Sequence, residues 1–423
     1  MVTPDQSRAD SRVARRQYAR RRLAALAAVV ALLALVSFGV SRLFGGPAPS
    51  EPAAADQRPV AAATGKPTAT QTKPPETTAA ASTPSAGTSM ERVRRITGQM
   101  SPKSVVASTN GQVFAQNMMY THTVSVFDAA GDLRETIPDS VTLADYGIQG
   151  HPGVSRGAPV EMAFTPDNKH GWVSNYSMYG ANFGPEGKDS CQKGDGTDES
   201  FVYKINTESY AIEQVVPVGA VPKYVAVTPN GKLVLVTNWC TWDLSIIDTE
   251  SNREVARVPL PGTYPRGIVV TKDSRTAYVA LMGSDKIVSV DLHSRRVSPF
   301  SQPGDSPRHI VMSPDERYIY VTNNRSGDVV KVSRATGQVV GSAITGKAPR
   351  SMAISPDGTA IYVVNYESST VSKVRTRDMK VLETDPTDGF PIGITYEPTK
   401  KAVWVACYGG SILVYDDTKR PVA

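Results

Sequence analysis

The chain has 423 residues, 40% of them hydrophobic, which is ample for a large core; 3 cysteines among 33 glycines and 31 prolines exclude a collagen-like fibre and a disulfide-dense miniprotein. Its formal net charge of +6 sits at one end: residues 1–22 hold Arg8, Arg12, Arg15, Arg16, Arg20, Arg21 and Arg22 against Asp5 and Asp10, and the remainder carries 39 basic and 38 acidic residues. A general electrostatic footprint for nucleic acid is therefore absent from the bulk of the chain, and no nucleic-acid partner is expected.

From Leu23 to Val40 run 18 residues without a charge, bracketed by Arg22 and Arg42. That is near the length a helix needs to cross a bilayer and longer than the roughly 7–15 residues of a cleaved signal core, and no small-x-small cleavage site comes directly after it. No cysteine follows the run to suggest lipoprotein processing, and Ala14-Arg15-Arg16-Gln17-Tyr18 is only a faint twin-arginine pattern in an arginine-rich tail. The arginines on the N-terminal side keep the tail in the cytoplasm and send the chain beyond Arg42 across. Residues 46–89 then hold eight prolines, eight threonines and a dozen alanines with no aromatic residue. Such a segment buries too little to fold and reads as a disordered spacer able to reach roughly 130 Å if stretched. The expected organisation is a cytoplasmic tail (1–22), a transmembrane signal anchor (23–41), an extracytoplasmic stalk (42–89) and a folded unit (90–423) in the cell envelope.

The folded unit repeats. Phe114-Ala-Gln-Asn117, Trp172-Val-Ser-Asn175, Leu235-Val-Thr-Asn238, Tyr278-Val-Ala-Leu281, Tyr320-Val-Thr-Asn323, Tyr362-Val-Val-Asn365 and Trp404-Val-Ala-Cys407 each end a short apolar run. Each comes after a proline: Pro102, Pro159, Pro222, Pro265, Pro307, Pro349 and Pro391, the last five spaced 43, 42, 42 and 42 residues apart. Within one copy, Ser351 to Ser355, Ile361 to Val364, Thr370 to Val374 and Val381 to Thr384 are short strand-like runs parted by turns such as Pro356-Asp357-Gly358. Four strands at a period near 42 predict a propeller blade, and seven copies predict an all-β, seven-bladed β-propeller. The last copy lacks a fourth strand, which residues 91–97 are expected to supply, closing the ring and removing an exposed sheet edge.

The quartets, with the Gly-x-x-Pro-Arg and Ser-Pro-Asp-Gly phrases of the later copies, resemble the YVTN-repeat β-propeller family over about three quarters of the chain. That resemblance implies the fold; for function it implies a range from surface antigens and binding proteins to relatives of lactonases. Leu281 and Cys407 depart from the pattern where asparagine is expected.

In a propeller the start of the innermost strand and the end of the second meet at one mouth of the central channel. The residues just beyond the repeated proline include Lys103, Glu161, Lys223, Arg266, Arg308, Arg350 and Ile392, five of them cationic. With Asn175, Asn238, Asn323 and Asn365 of the quartets and the adjoining Tyr176, Trp239 and Tyr366, they form the candidate site for an anionic or glycan ligand. Spacing is irregular only around the second copy, with inserts within Asp132–Gly157 and Ser177–Ser200 expected on the same face, where Tyr179, Phe183 and Trp242 extend a stacking surface for a sugar or a partner protein. Cys191 and Cys240 are expected to form a disulfide that pins the second insert, with Cys407 buried and unpaired.

Catalytic patterns are sparse. The histidines show no metal-ligand spacing, no phosphate loop or nucleophile elbow occurs, and Asp189, Asp195, Asp198 and Glu199 read as a solvated acidic loop, so neither metal nor cofactor is expected. The sequence therefore favours a binding scaffold. The alternative is a lactonase-like hydrolase in which Glu161 or His309 is a general base and the arginines hold a developing oxyanion.

Overall fold

The computed structural model describes residues 83–420, so the basic tail, the apolar run and the expected stalk up to residue 82 lie outside it. Among the described residues no helix is long and apolar enough to cross a membrane. They form seven antiparallel sheets, almost without helix. The innermost strands are Ser104–Ala107, Ser155–Phe164, Pro222–Val227, Pro265–Val270, Pro307–Met312, Pro349–Ile354 and Pro391–Glu397. Each touches the next around the ring, and the last returns to the first: this is a seven-bladed propeller.

Both faces of a blade are covered by its neighbours, so the strands bury residues at successive positions. The residue that opens each quartet, aromatic in all but Leu235, wedges between blades. Trp172 packs with Val225, Val234 and Val236 of the third blade, and Trp404 packs with Val105, Val113 and Phe127 of the first. The Ser-Pro-Asp-Gly phrase makes the turn between the first two strands: Ser355 Oγ donates to Asp357 Oδ1 (2.6 Å) and accepts the N–H of Ala360 (3.1 Å). Inner strands approach closely enough that a Cβ on Gly393 would lie 2.7 Å from Ser104 Cα, so only glycine fits at this closing contact.

The seventh blade takes its outer strand from Ser89–Thr97, antiparallel to Ser411–Lys419. Order begins earlier than composition suggests, because residues 83–89, placed in the stalk on sequence grounds, dock on the propeller. Ser85 and Ala86 donate their N–H groups to Asp357 Oδ2 (2.8 Å) and Thr359 Oγ1 (3.0 Å), and the fully buried Lys373 donates to the Thr88 carbonyl (2.7 Å) while pairing with Asp417 (2.5 Å). Backbone hydrogen bonds and one buried ion pair, not apolar side chains, hold this segment.

Both inserts belong to the second blade. Ser140–Val141 adds a short strand beside Ser155–Phe164, and Leu143 behind it is fully buried. The other insert, between His170–Tyr179 and Glu199–Asn206, is held by a Cys191–Cys240 disulfide with Cα atoms 5.4 Å apart, as expected; Cys407 is buried and free.

Candidate functional site

The mouth of the channel is shaped by a recurring turn. Val221, Tyr264, Ser306, Ala348 and Phe390, each preceding the repeated proline, adopt φ of 53–61°. Their carbonyls accept the N–H of Trp239, Met282, Asn324, Tyr366 and Tyr408, the residues directly after the quartets. Five non-glycine residues in the left-handed region carry backbone strain, and they are gathered at one rim. Just beyond each proline the ladder shifts register, so two consecutive residues of the inner strand oppose one of its neighbour.

This register corrects the expected ring. The residue after Pro159 is Val160, and Glu161 pairs opposite Ser174 just as Tyr224 pairs opposite Thr237 and His309 opposite Thr322. The upper layer is therefore Lys103, Val160, Lys223, Arg266, Arg308, Arg350 and Ile392. Glu161 lies one layer deeper with Ser104, Tyr224, Gly267, His309, Ser351 and Gly393. The deeper layer opens on a cavity of about 260 Å³ whose wall includes Glu161, Tyr224 and His309.

The cations are buried and short of partners. Lys103, Lys223, Arg266 and Arg308 are each at most 8% exposed. Lys223 Nζ reaches Asp189 Oδ1 (2.6 Å) and lies 4.2 Å from the Tyr176 ring centre and 5.0 Å from that of Trp239. Arg308 donates to the Arg350 carbonyl (2.7 Å), and Arg350 stacks 3.6 Å over Tyr366. Among the described residues Lys103 and Arg266 have no side-chain hydrogen bond, and Lys103, Arg266, Arg308 and Arg350 have no ion pair. Isolated charges away from water are costly unless something compensates them.

The protonation equilibria record that cost. Burial, then Arg266, Arg308 and Lys223, hold the Lys103 ammonium well below its ordinary range. Burial takes Lys223 down to about 7 although Asp189 opposes it, and takes Arg266 to about 10 against the pull of Glu161. Burial likewise pushes the Glu161 carboxyl up, with Lys103 and Arg266 opposing. Asp189 is the exception: its side chain is 78% exposed at the rim, and although desolvation works against it, Lys223 followed by Lys103 and Arg266 brings it to about 2.

Other candidates have different work. The quartet asparagines turn into their own blades. Asn238 Nδ2 donates to Asp243 Oδ1 (2.6 Å) and Ser245 Oγ (2.8 Å), Asn365 Nδ2 to Thr370 and Ser372 (both 3.0 Å), and Asn323 Nδ2 to the Pro303 carbonyl (3.0 Å). Asn175 is fully buried too, but its amide finds no hydrogen-bond partner among the described residues; the other three tie strands and loops together, and none of the four is exposed to the channel. Tyr176 and Trp239 flank Lys223 but are only 5% and 7% exposed, and Trp239 stacks on Tyr264 at 4.5 Å. Phe183 stacks on His151 (3.9 Å) and Tyr179 packs edge-on to His122 (5.0 Å), while Tyr176, Tyr179, Trp239 and Tyr264 share one mostly buried cluster across the second and third blades. The acidic residues of the insert disperse: Asp189 faces Lys223, Asp195 caps Thr197, and Glu199 pairs with Arg257.

His309 is not placed to act as a general base. Its Nδ1 accepts the N–H of Met352 (2.9 Å), its Nε2 lies 2.8 Å from Tyr224 Oη, and burial with Arg308 and Arg266 lowers its pKa to about 3. Sequence reasoning passed over Tyr224. Its place two residues after Pro222 was visible, but the partner across the channel, 85 residues away, was not.

The family model described as "Lactonase, 7-bladed beta-propeller" matches residues 268–339, which run from the fourth blade to the fifth and include Arg308 and His309. No curated protein matches the chain. Among solved structures, hydrazine synthase of Kuenenia stuttgartiensis is similar at 18% identity, with a TM-score of 0.57, over 75% of this chain and 96% of that one. Virginiamycin B lyase of Staphylococcus aureus is similar at 13% identity, with a TM-score of 0.58, over 76% of this chain and 98% of that one. At such identities the likeness is one of fold.

Proposed function

We propose that this protein is a binding module that captures a small anionic molecule in the mouth of its propeller channel, held outside the cytoplasmic membrane by the run Leu23–Val40. The observation that carries the reading is the cluster of Lys103, Arg266, Arg308 and Arg350, largely buried and with no carboxylate within ion-pair distance among the described residues, Glu161 and Asp189 acting on them only from farther off. A bound anion supplies the missing charge, and planar guanidinium forks suit carboxylate or phosphate oxygens. The cavity of about 260 Å³ falls just under the ~300 Å³ lower end of ordinary small-molecule pockets, which favours a compact ligand over a polymer. The tethered placement rests on the charge-free run and its flanking arginines, which favour an N-terminus in the cytoplasm.

The test is thermal shift and calorimetry of the full-length chain with sulfate, phosphate, small carboxylates and a short oligonucleotide. A compact anion should raise the melting temperature, and Arg308→Ala should remove the response. If no anion stabilises the wild type, the reading fails.

A second reading, a lactonase-like hydrolase, is favoured by the family-model match and by a buried carboxyl, Glu161, under the arginines. In that case Glu161 would activate water and the cations would hold the oxyanion of the tetrahedral intermediate. Hydrolysis of a lactone panel that is lost in Glu161→Gln, with anion affinity retained, would select this reading over simple binding.

A further inference from the structure

The tautomer of His309 can be read from its neighbours. A backbone N–H can only donate, so the 2.9 Å contact from Met352 N makes His309 Nδ1 the acceptor, and the ring is neutral with its hydrogen on Nε2. Nε2 is 2.8 Å from Tyr224 Oη, so the imidazole donates and the phenol oxygen accepts. The hydrogen of Tyr224 must then point away from His309. Among the described residues no acceptor takes it, and Tyr224 lines a cavity together with Glu161. A donor fixed in direction from behind and left without an acceptor in front is a recognition element.

We propose that Tyr224 is the second recognition point of the channel. It donates a hydrogen bond to a neutral oxygen of a small oxyanion whose charged group sits in the layer above, among Lys103, Arg266 and Arg308. The ligand class is thus an oxo- or hydroxy-substituted acid, with carboxylate or phosphate as the charged end. A plain anion satisfies the cations but leaves the Tyr224 hydroxyl unanswered, and a ligand oxygen in reach of it removes that deficit. His309 acts through Tyr224 as a positioning residue, and the Met352 N–H fixes His309 in turn. This inference rests on the reading that the channel takes an anion.

The experiment compares matched ligand pairs by calorimetry on the full-length chain: 2-oxobutyrate against butyrate, and glycerol 3-phosphate against propyl phosphate, with sulfate as a plain anion. In the wild type the oxygen-bearing member of at least one pair should bind about tenfold more tightly, the size expected of one well-made hydrogen bond. The pair that responds identifies the charged end as carboxylate or phosphate. Tyr224→Phe should abolish the preference while leaving butyrate, propyl phosphate and sulfate unchanged. Equal affinities within both pairs in the wild type would overturn the proposal without recourse to a variant, and so would a preference that survives in a folded Tyr224→Phe. Failure of sulfate and of every probe to bind would bring down the anion reading itself. Binding without preference would bring down this inference alone.

Discussion

Replacing Arg266 with methionine should make the ligand-free protein more stable while destroying its response to anions. Arg266 is 6% exposed, and its side chain makes no hydrogen bond or ion pair among the described residues. Its guanidinium is charged at pH 7 in folded and unfolded chain alike, but burial lowers its folded pKa from 12.5 to about 10. At 1.36 kcal/mol per unit that shift disfavours the charged folded state by about 3 kcal/mol. Because the unfolded chain holds the proton more tightly, the penalty is present at every pH below about 10 and fades as pH rises toward 12.5. Methionine keeps the aliphatic stem and removes the charge. Near the melting point a domain spanning residues 83–420 has an unfolding entropy of roughly 0.7 kcal/mol per kelvin, so relief of about 3 kcal/mol raises Tm by about 4 °C. Anion at a hundredfold excess over Kd stabilises the wild type by about 2.7 kcal/mol and should leave the variant unmoved. Scanning calorimetry in low-salt buffer and again with increasing sulfate should therefore show the variant ahead at first and the wild type drawing level. A variant that melts below the wild type at low salt, or that gains equally from sulfate, refutes the idea that Arg266 awaits a ligand.

Removing the disulfide with Cys191→Ser and Cys240→Ser together should lower stability by about 4 kcal/mol, the loop entropy for a sequence separation of 49, seen as a fall of roughly 6 °C in Tm; a change under about 1 °C would mean the insert is held by its other contacts. Asp139, buried near Gly157, has its pKa pushed up to about 8 chiefly by desolvation, so the folded chain binds more protons than the unfolded between about pH 4 and 8 and stability should fall as pH rises through that window. Urea unfolding across pH should show that slope and its loss in Asp139→Asn; an unchanged slope removes Asp139 as its source. Anion binding near pH 8 should draw protons onto Lys223, whose pKa of about 7 the ligand raises, and onto Lys103, also held well below its ordinary range, detectable by calorimetry in buffers of differing ionisation enthalpy; the uptake should fall in Lys223→Arg, and an unchanged uptake would remove Lys223 as a source.

The architecture was legible because a propeller writes itself as a repeat. Seven prolines and seven quartets reported seven inner and second strands, and the missing last strand pointed to residues 91–97 as the partner that Ser411–Lys419 lacks. The disulfide was legible for a related reason: Cys240 lies in the loop equivalent to the one that carries Cys191. The site was harder to read. Counted from its proline, the ring position of the second blade is Val160 and not Glu161, and the pairing agrees, since Glu161 stands opposite Ser174 as Tyr224 stands opposite Thr237. The hydrogen bond of Tyr224 with His309 joins two blades across the axis, and only closure of the ring creates it. Docking of residues 83–89 is hidden from the sequence because backbone N–H groups make the contacts, and these have no signature in composition.

The quartets and the channel show where each blade is free to differ. Quartet residues sit between blades, where Trp172, Tyr320, Tyr362 and Trp404 are nearly or wholly buried, and a change there opens a cavity in the interblade packing. The upper channel layer carries little of that packing, Val160 being the exception in the cluster with Met118, Tyr176 and Trp239, so lysine, arginine and isoleucine also occur there in one repeat frame. Nor do these residues stabilise the ligand-free ring, since burial lowers the pKa of each basic side chain and only Lys223 has a carboxylate within ion-pair distance. A fold whose strength lies in interblade clusters tolerates such a penalty at its centre. Five basic residues kept at that centre, with Asp189 on a disulfide-pinned insert reaching only Lys223, make the channel the place where this chain departs most from what its fold requires, and a departure that costs stability points to binding as its reason.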